Sequence, residues 1–271
     1  MTPNGKRAAI VTGASTGIGY AVAETLVRAG YEVFGTSRRT SGDGPQGVTM
    51  LACDVTIQPS VDKMVADVLA QTGRIDLVVN NAGLGLVGAA EESSLEQVHA
   101  LFDVNVYGAM RVINAVLPSM KQQRAGRIIN VSSVLGLLPA PYMAYYSATK
   151  HAIEGYTESL DHELRAFNIR VALVEPAYTR TSMESNALDP DTKLPEYDQP
   201  RAQMFALNIQ KIEEGDDPII VAETVLRAAT DAKPRRRYPA GKTAKQLSLL
   251  RRLVPASLFD KSLRKELGLP A

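Results

Sequence analysis

Tyr146 and Lys150 lie four residues apart in Tyr-Ser-Ala-Thr-Lys, and Ser133 lies thirteen residues before the tyrosine. Positions i and i+4 of a helix share one face. The lysine ammonium can therefore favour ionisation of the Tyr146 phenol and draw it down from an ordinary value of about 10. A phenol tuned in this way can pass a proton to or from an alcohol oxygen. Bringing it to near 7 needs roughly 4 kcal/mol of differential stabilisation, which Lys150 and a second positive charge can supply in a closed site. Tyr145 is the poorer candidate, because its i+4 residue is the uncharged Thr149. Ser132 lacks the thirteen-residue spacing and is expected to face the structure.

A second group of residues could hold a dinucleotide. Gly13, Gly17 and Gly19, in Thr12-Gly-Ala-Ser15-Thr-Gly-Ile18-Gly, follow an apolar strand and open a helix. Glycines there permit a tight turn and close approach of backbone to a pyrophosphate, and the helix N-terminus favours its charge. Ser15 and Ile18 belong to the same turn and are predicted to line it. An acidic residue about 20 positions beyond the glycines would take the ribose hydroxyls of NAD. This chain instead has Thr36-Ser37-Arg38-Arg39, with no carboxylate, and Glu32 comes too early in the strand. Arg38 can stack on adenine and pair with a 2′-phosphate, helped by Ser37 and Arg39. The predicted cofactor is NADP(H).

Alternating strand and helix patterns must position these groups. Apolar strands are predicted at 8–11, 31–36, 48–52, 76–79, 127–131 and 170–174. Helices are predicted at 17–29, 61–69, 95–120 and 146–167. Continuous apolar strands between helices indicate an α/β protein whose parallel sheet is covered on both faces. Its crossovers should be right-handed. This is the doubly wound Rossmann architecture, which places ligands at the carboxyl ends of the strands. Between 179 and 217 the pattern breaks into a Pro-rich insert with helical fragments around 202–212. Met183, Leu188, Leu194, Tyr197, Met204 and Phe205 give it apolar surface for a ligand, and long inserts of this kind are usually functional or mobile.

The glycine segment, Asp54 in Cys-Asp-Val55, Asn80-Asn81-Ala82-Gly83, Asn105, Ser133, Tyr146 with Lys150, and Glu175-Pro176 occur in one order over residues 6–180. That ordered set resembles the short-chain dehydrogenase/reductase family. The resemblance implies one NADP-binding domain over 1–271, with a seven-stranded, mostly or wholly parallel sheet. It also implies that 179–217 is a substrate lid. Tyr146 would be general acid in reduction and general base in oxidation, and Lys150 would also bind the nicotinamide ribose. Ser133 would orient the substrate oxygen, and Asn105 would hold a water joined to the lysine. Asp54 would accept from the adenine amino group with Val55 packed near it. Asn81, Ala82 and Gly83 would lie beside the adenosine ribose, a role compatible with Asn81 locking the central strand. Pro176, Ala177 and Thr179 would flank the nicotinamide, with Thr179 on its carboxamide. Ala177 stands where the family usually has glycine, and alanine resists positive φ, so the backbone there is expected to differ.

Composition bounds the remaining readings. The 271 residues are 45% hydrophobic and 22% charged, an ordinary globular balance. No run of eighteen apolar residues points to a membrane span, and the first strand begins too early to leave room for a signal peptide. One cysteine, Cys53, suits a reducing cytoplasm and a role as a small buried hydrophobe. From Lys233 onward the chain carries 11 Lys/Arg against 2 Asp/Glu, so the preceding residues carry a net charge of −8. This basic extension over 241–271 sets Leu247, Leu250 and Val254 among Lys245, Arg251 and Arg252. It is expected to pack on the cleft or a neighbouring subunit, and it could also rest on an anionic membrane. It lacks a nucleic-acid motif and aromatic stacking platform, and no Cys/His cluster has metal spacing.

The apolar loop 134–143 after Ser133 suggests a lipophilic alcohol or carbonyl. The segment from Arg237 to Lys242 resembles the bacterial branch related to 17β-hydroxysteroid and retinol dehydrogenases, which implies steroid-, retinoid- or fatty-type substrates as a class. The helices 95–120 and 146–167 resemble those that pair subunits in the family, which implies a homodimer or homotetramer. A 3-oxoacyl thioester reductase would use the same residues. A non-catalytic NADP-sensing scaffold would be expected to lose the tyrosine or the lysine.

Overall fold

The computed structural model describes residues 5–38, 44–181 and 187–266. Four elements form the first half-sheet: β1 (Ala8–Val11), α1 (Gly17–Arg28), β2 (Glu32–Ser37) and β3 (Val48–Ala52). They are followed by α2 (Gln58–Thr72), β4 (Leu77–Asn80), α3 (Leu95–Phe102), α4 (Gly108–Gln123), β5 (Gly126–Val131), α5 (Ala144–Leu164) and β6 (Ile169–Pro176). The chain continues through α6 (Asp198–Glu213), α7 (Pro218–Thr230), β7 (Arg237–Ala240), α8 (Gly241–Leu253) and α9 (Ala256–Glu266). The seven strands lie in the order β3-β2-β1-β4-β5-β6-β7 and every pairing is parallel. The order reverses between β1 and β4, and in sheets of this kind the crevice at that switch point takes the ligand.

Successive side chains of a strand point to opposite faces, and both faces here are apolar. Ala9, Val11, Leu77, Val79, Ile129, Ala172 and Val174 meet Val22 and Leu26 of α1 and Val221 and Val225 of α7. Ile10, Phe34, Val78, Ile128 and Val171 meet α2, α4 and the end of α5 through Val61, Met64, Val112, Val116 and Leu160. Burial of a side chain of this size contributes about 1.5–3 kcal/mol, so the two layers hold the strand ends that carry the site.

At three elements the structure departs from the sequence expectation. The helix expected over 95–120 runs on to Gln123 and contains a π-helical turn, Asp103–Tyr107, between α3 and α4. A π turn inserts one residue into the helical ladder and re-aims the side chains on either side. The stretch 95–123 is long and apolar enough to cross a membrane by length and composition, but half of its most apolar window is buried in the protein. Strand periodicity missed β7, a four-residue edge strand containing Pro239. It missed α7 as well, although Asp217 caps that helix, accepting from Ile219 N at 3.0 Å, and Pro218 fills its first turn.

Candidate active site

Tyr146 and Lys150 lie on the first turns of α5, and both are buried. Lys150 Nζ sits 5.5 Å from the centre of the Tyr146 ring and donates to Val131 O at 3.1 Å. Burial pushes the lysine down to about 8, against the opposing pull of the Glu154 carboxylate one turn further along α5. Ser133, just past β5, starts a short 3-10 turn, and its Oγ accepts from Leu135 N at 3.1 Å. Around Tyr146 the wall is apolar, formed by Val87, Met143, Leu135 and Ala140. Ser132 is buried and faces the interior, as its position at the strand end predicts. His151 is exposed, with its ring Nδ1 at 2.9 Å from Ser147 O.

Asn105 occupies the middle of the π turn and is 5% exposed. Its Oδ1 accepts from Leu84 N at 2.8 Å, and its Nδ2 donates to Leu84 O at 2.9 Å and Thr149 Oγ1 at 3.2 Å. Thr149 in turn donates to Tyr146 O at 2.7 Å. The side chain therefore braces the loop after β4 against the turn of α5 that carries the tyrosine. Its amide does not reach directly toward the lysine.

At the carboxyl ends of β1 to β4 lies a cleft of about 870 Å3. Gly13, Ser15, Gly17, Ile18, Ser37, Arg38, Asp54, Val55, Asn81, Ala82 and Gly83 all line it. Gly13 and Gly17 have φ of +65° and +56°, a region that disfavours side chains. Gly19 is required by contact: a Cβ there would fall 2.1 Å from Gly13 O. Asn81 spends its amide on Thr12 O and Gly13 O at 3.0 and 3.1 Å, while Thr12 Oγ1 accepts from Asn81 N and Ala82 N, each at 3.0 Å. The sequence motif contains Thr12 but assigns it no role, although its place between strand and glycine is the available signal.

Both hydrogen bonds to the Asp54 side chain fall on Oδ1, from Thr56 N at 2.9 Å and Thr56 Oγ1 at 2.7 Å. Burial opposes its charge, but these bonds and the nearby Arg38 and Arg111 hold the carboxyl below its usual range. Arg38 is exposed at the cleft edge; Arg39 lies outside the described residues. A floor of glycine at the ends of the strands fits a dinucleotide.

Pro176 ends β6. Ala177 packs against Val134, Leu138 and Ala244, and it is not among the residues of positive φ. The backbone there takes an ordinary course, in keeping with alanine in place of glycine. Thr179 is buried, and its hydroxyl donates to Ala177 O at 3.1 Å. The following chain crosses the glycine turn, so that a Cβ on Gly17 would lie 3.2 Å from the Thr181 side chain.

The insert beyond is pinned at its far end. Glu92, fully buried, accepts from Leu194 N at 2.9 Å and pairs with Arg201, and its carbonyl accepts from Thr192 N at 3.0 Å. On α6, Met204 and Asn208 are buried, with Asn208 Nδ2 at 3.8 Å from Met143 Sδ. Tyr197 meets Tyr142 edge to face at 6.3 Å, and Phe205 remains partly exposed. Met183 lies outside the described residues.

Known proteins match this arrangement. The sequence model of short chain dehydrogenases matches residues 7–191. A 3-ketodihydrosphingosine reductase from Bacteroides thetaiotaomicron is 41% identical over 177 residues, 65% of each chain. Bovine retinol dehydrogenase 8 is 39% identical over 68% of this chain and 62% of its own. A solved short-chain dehydrogenase from Streptomyces avermitilis is 34% identical and superposes with a TM-score of 0.80, covering 97% of this chain and 95% of its own. A short-chain dehydrogenase/reductase from Burkholderia phymatum, solved in complex with NAD, is 25% identical with a TM-score of 0.79, covering 98% and 96%. With the parallel seven-stranded sheet and the glycine-lined cleft, these matches place the chain in the short-chain dehydrogenase/reductase family, whose members are oxidoreductases that use a nicotinamide coenzyme.

Proposed function

We propose that the protein interconverts a carbonyl and a primary or secondary alcohol on a lipophilic substrate, with NADP(H) as coenzyme. One observation carries this reading. Through Asn105 and Thr149, the backbone of Tyr146 is joined to Leu84, which lines the dinucleotide cleft, and this supports reading the Tyr146–Lys150 pair and the cleft as one site. The bound coenzyme supplies or accepts the hydride. Tyr146 gives the substrate oxygen its proton in reduction and removes it in oxidation. Lys150 supplies the positive charge that favours tyrosinate, and Ser133 orients the oxygen. Preference for NADP(H) rests on Arg38 and on the lack of a carboxylate at the end of β2. The Burkholderia relative binds NAD, so the preference is argued from this chain's own residues.

The apolar wall of Val87, Leu135, Ala140 and Met143 favours a lipophilic substrate. Relatives named for 3-ketodihydrosphingosine and for retinol support the same class. We propose assembly into a homodimer or homotetramer through the helical layer of α4 and α5. Residence in a reducing cytoplasm fits the single buried cysteine. Contact of α8 and α9 with anionic membranes fits their exposed leucines and cations.

The test is NADPH oxidation against a panel of lipophilic ketones, aldehydes and quinones, with NADH and Tyr146→Phe as controls. General acid catalysis of this type contributes about 10² to 10⁴ in rate. Tyr146→Phe should lose turnover on that scale while still binding NADPH. Near-normal turnover of the variant would sink the mechanism. Tight NADPH binding without turnover on any panel member would favour a sensing scaffold.

A further inference from the structure

Two buried carboxyls stand behind the Tyr146–Lys150 pair, and the chemistry above does not use them. Glu154 is 3% exposed and Glu175 is 0% exposed. Glu154 continues the line Tyr146, Lys150, Glu154 along one face of α5. Glu175 enters from β6, beside Pro176. One guanidinium serves both: Arg237 of β7 pairs with Glu154 and holds Glu175 Oε1 at 2.6 Å, while its Nε reaches Glu158 at 2.9 Å. Three elements have converged to place these two buried carboxyls, and the more exposed Glu158, on one arginine.

The remaining atoms of the cluster are short of partners. Glu154 Oε2 has only its ion pair with Arg237, and Glu154 Oε1, Glu175 Oε2 and Ser132 Oγ are buried without a well-formed hydrogen bond. Gly136 closes over them: a Cβ there would stand 2.8 Å from Glu154 Oε1 and 2.9 Å from Ser132 Oγ. Unpaired buried carboxylate oxygens are costly. Two like charges at one site cannot both ionise cheaply, and a shared proton removes most of that cost.

We propose that Glu154 and Glu175 hold one proton between them beneath Arg237, and that the share of charge resting on Glu154 sets how firmly Lys150 keeps its ammonium. The pair would thus be a positioning device acting on Tyr146 through the lysine, and it rests on the roles proposed above for those two residues. The groups facing Glu154 are Lys150 and Glu158 on its own helix, Glu175 on β6, Arg237 on β7 and the Ser132 hydroxyl after β5. The electrostatics agree in direction. Burial first, then the Glu175 charge, push the Glu154 carboxyl up, against Ser132 and Arg237. Burial likewise raises Glu175, against its hydrogen bond to Arg237. The Glu154 carboxylate is in turn what raises Lys150 against its burial.

The two carboxyls therefore act on the tyrosine with opposite signs. Glu175→Gln removes the competitor, so Glu154 takes full charge, Lys150 stays an ammonium, and Tyr146 should ionise at lower pH. Glu154→Gln leaves a neutral group behind Lys150, which discharges sooner, and Tyr146 should ionise at higher pH. Each displacement should be about one pH unit, or about tenfold in the activity measured on the acid limb of alcohol oxidation.

The experiment reads Tyr146 ionisation from its near-ultraviolet phenolate absorbance, as the difference between each protein and its Tyr146→Phe counterpart. Alcohol oxidation is followed against pH in parallel, and Glu158→Gln serves as a control on disturbance of Arg237. Opposite movement of the two variants, with Glu158→Gln unmoved, is the expected result. Movement in the same direction, or none, overturns the proposal. If Glu154→Gln does not fold, Glu175→Gln alone decides: a shift to lower pH supports the proposal, and an unchanged or raised value overturns it. Since the absorbance titration needs no turnover, opposite shifts in an inactive protein would refute the proposed activity and leave the charge coupling standing. Tyrosine-dependent turnover without shifts would do the reverse.

Discussion

Arg38 stands at the exposed edge of the cleft, close enough to Asp54 for its charge to lower that carboxyl. A guanidinium there can face adenine with its plane and a 2′-phosphate with its N–H fork, whereas NADH offers it no phosphate. Charge-assisted hydrogen bonds contribute about 1.5–3 kcal/mol. Arg38→Ala should therefore lower kcat/KM for NADPH by roughly 10- to 100-fold and leave NADH within a few-fold. Steady-state kinetics with both coenzymes check this, and an equal loss with each would show that Arg38 does not read the phosphate. Local spacing alone singles out Tyr146 with Lys150 as candidates, by one helical turn, and the glycines by the strand before them. Glu154 was not legible. Its surroundings come from β6 and β7, distant in sequence, and nothing near position 154 announces that Glu175 and Arg237 will meet it.

Between elements, the join of α5 to β6 depends on one buried carboxylate. Asp161 is fully buried near the end of α5. It takes Arg165 Nη2 at 2.5 Å, Arg170 Nε at 2.8 Å and Val171 N at 3.1 Å. Burial opposes its charge, but the Arg170 and Arg165 hydrogen bonds prevail and bring the carboxyl down to about 2 from an ordinary 3.8. A folded value below the unfolded one adds stability above the unfolded value, and that stability is lost as pH falls through the folded value. Removing one partner of a buried pair costs about 3–5 kcal/mol. Asp161→Asn should show a loss of that order in urea unfolding at neutral pH, and the gap from the parent should narrow, by about 2.5 kcal/mol, as pH falls from 3.8 through 2. A gap that persists unchanged in acid would mean that the charge of Asp161 contributes nothing. Sequence patterns served at this scale wherever an element buries a continuous stripe, as β1 and α2 do. They failed at the π turn of Asp103–Tyr107, which extends helical periodicity by one residue without a sequence mark. They failed also at β7, where Pro239 and three other residues make an edge strand too short for alternation to show.

Over the whole molecule, charge and apolar surface are distributed unevenly. The C-terminal residues from Lys233 carry eleven cations against two anions. One face of α8 packs on the loop after Ser133 through Ala244 and Leu247, with Phe259 of α9 beside them. This packing leaves the opposite face of α8 outward. On that face Leu249 and Leu253 are 57 and 72% exposed, among Lys242, Lys245 and Arg252, and on α9 Leu258 is 58% exposed in a segment that carries Lys261. Exposed leucines flanked by cations suit an anionic bilayer, in which the apolar side chains enter the interface and the charges meet headgroups. Basic residues near such a surface contribute about 1 kcal/mol each, and added salt screens them. The intact protein should therefore sediment with vesicles containing phosphatidylglycerol, fail to do so with pure phosphatidylcholine, and be released by salt. Leu249→Asp with Leu253→Asp should abolish sedimentation without changing the thermal transition, because neither side chain supports the core. If the same pair of substitutions instead dissolved a concentration-dependent oligomer, and vesicles of either composition were ignored, the face would belong to a second copy of the chain. The acidic remainder of the molecule would then supply the complementary charge.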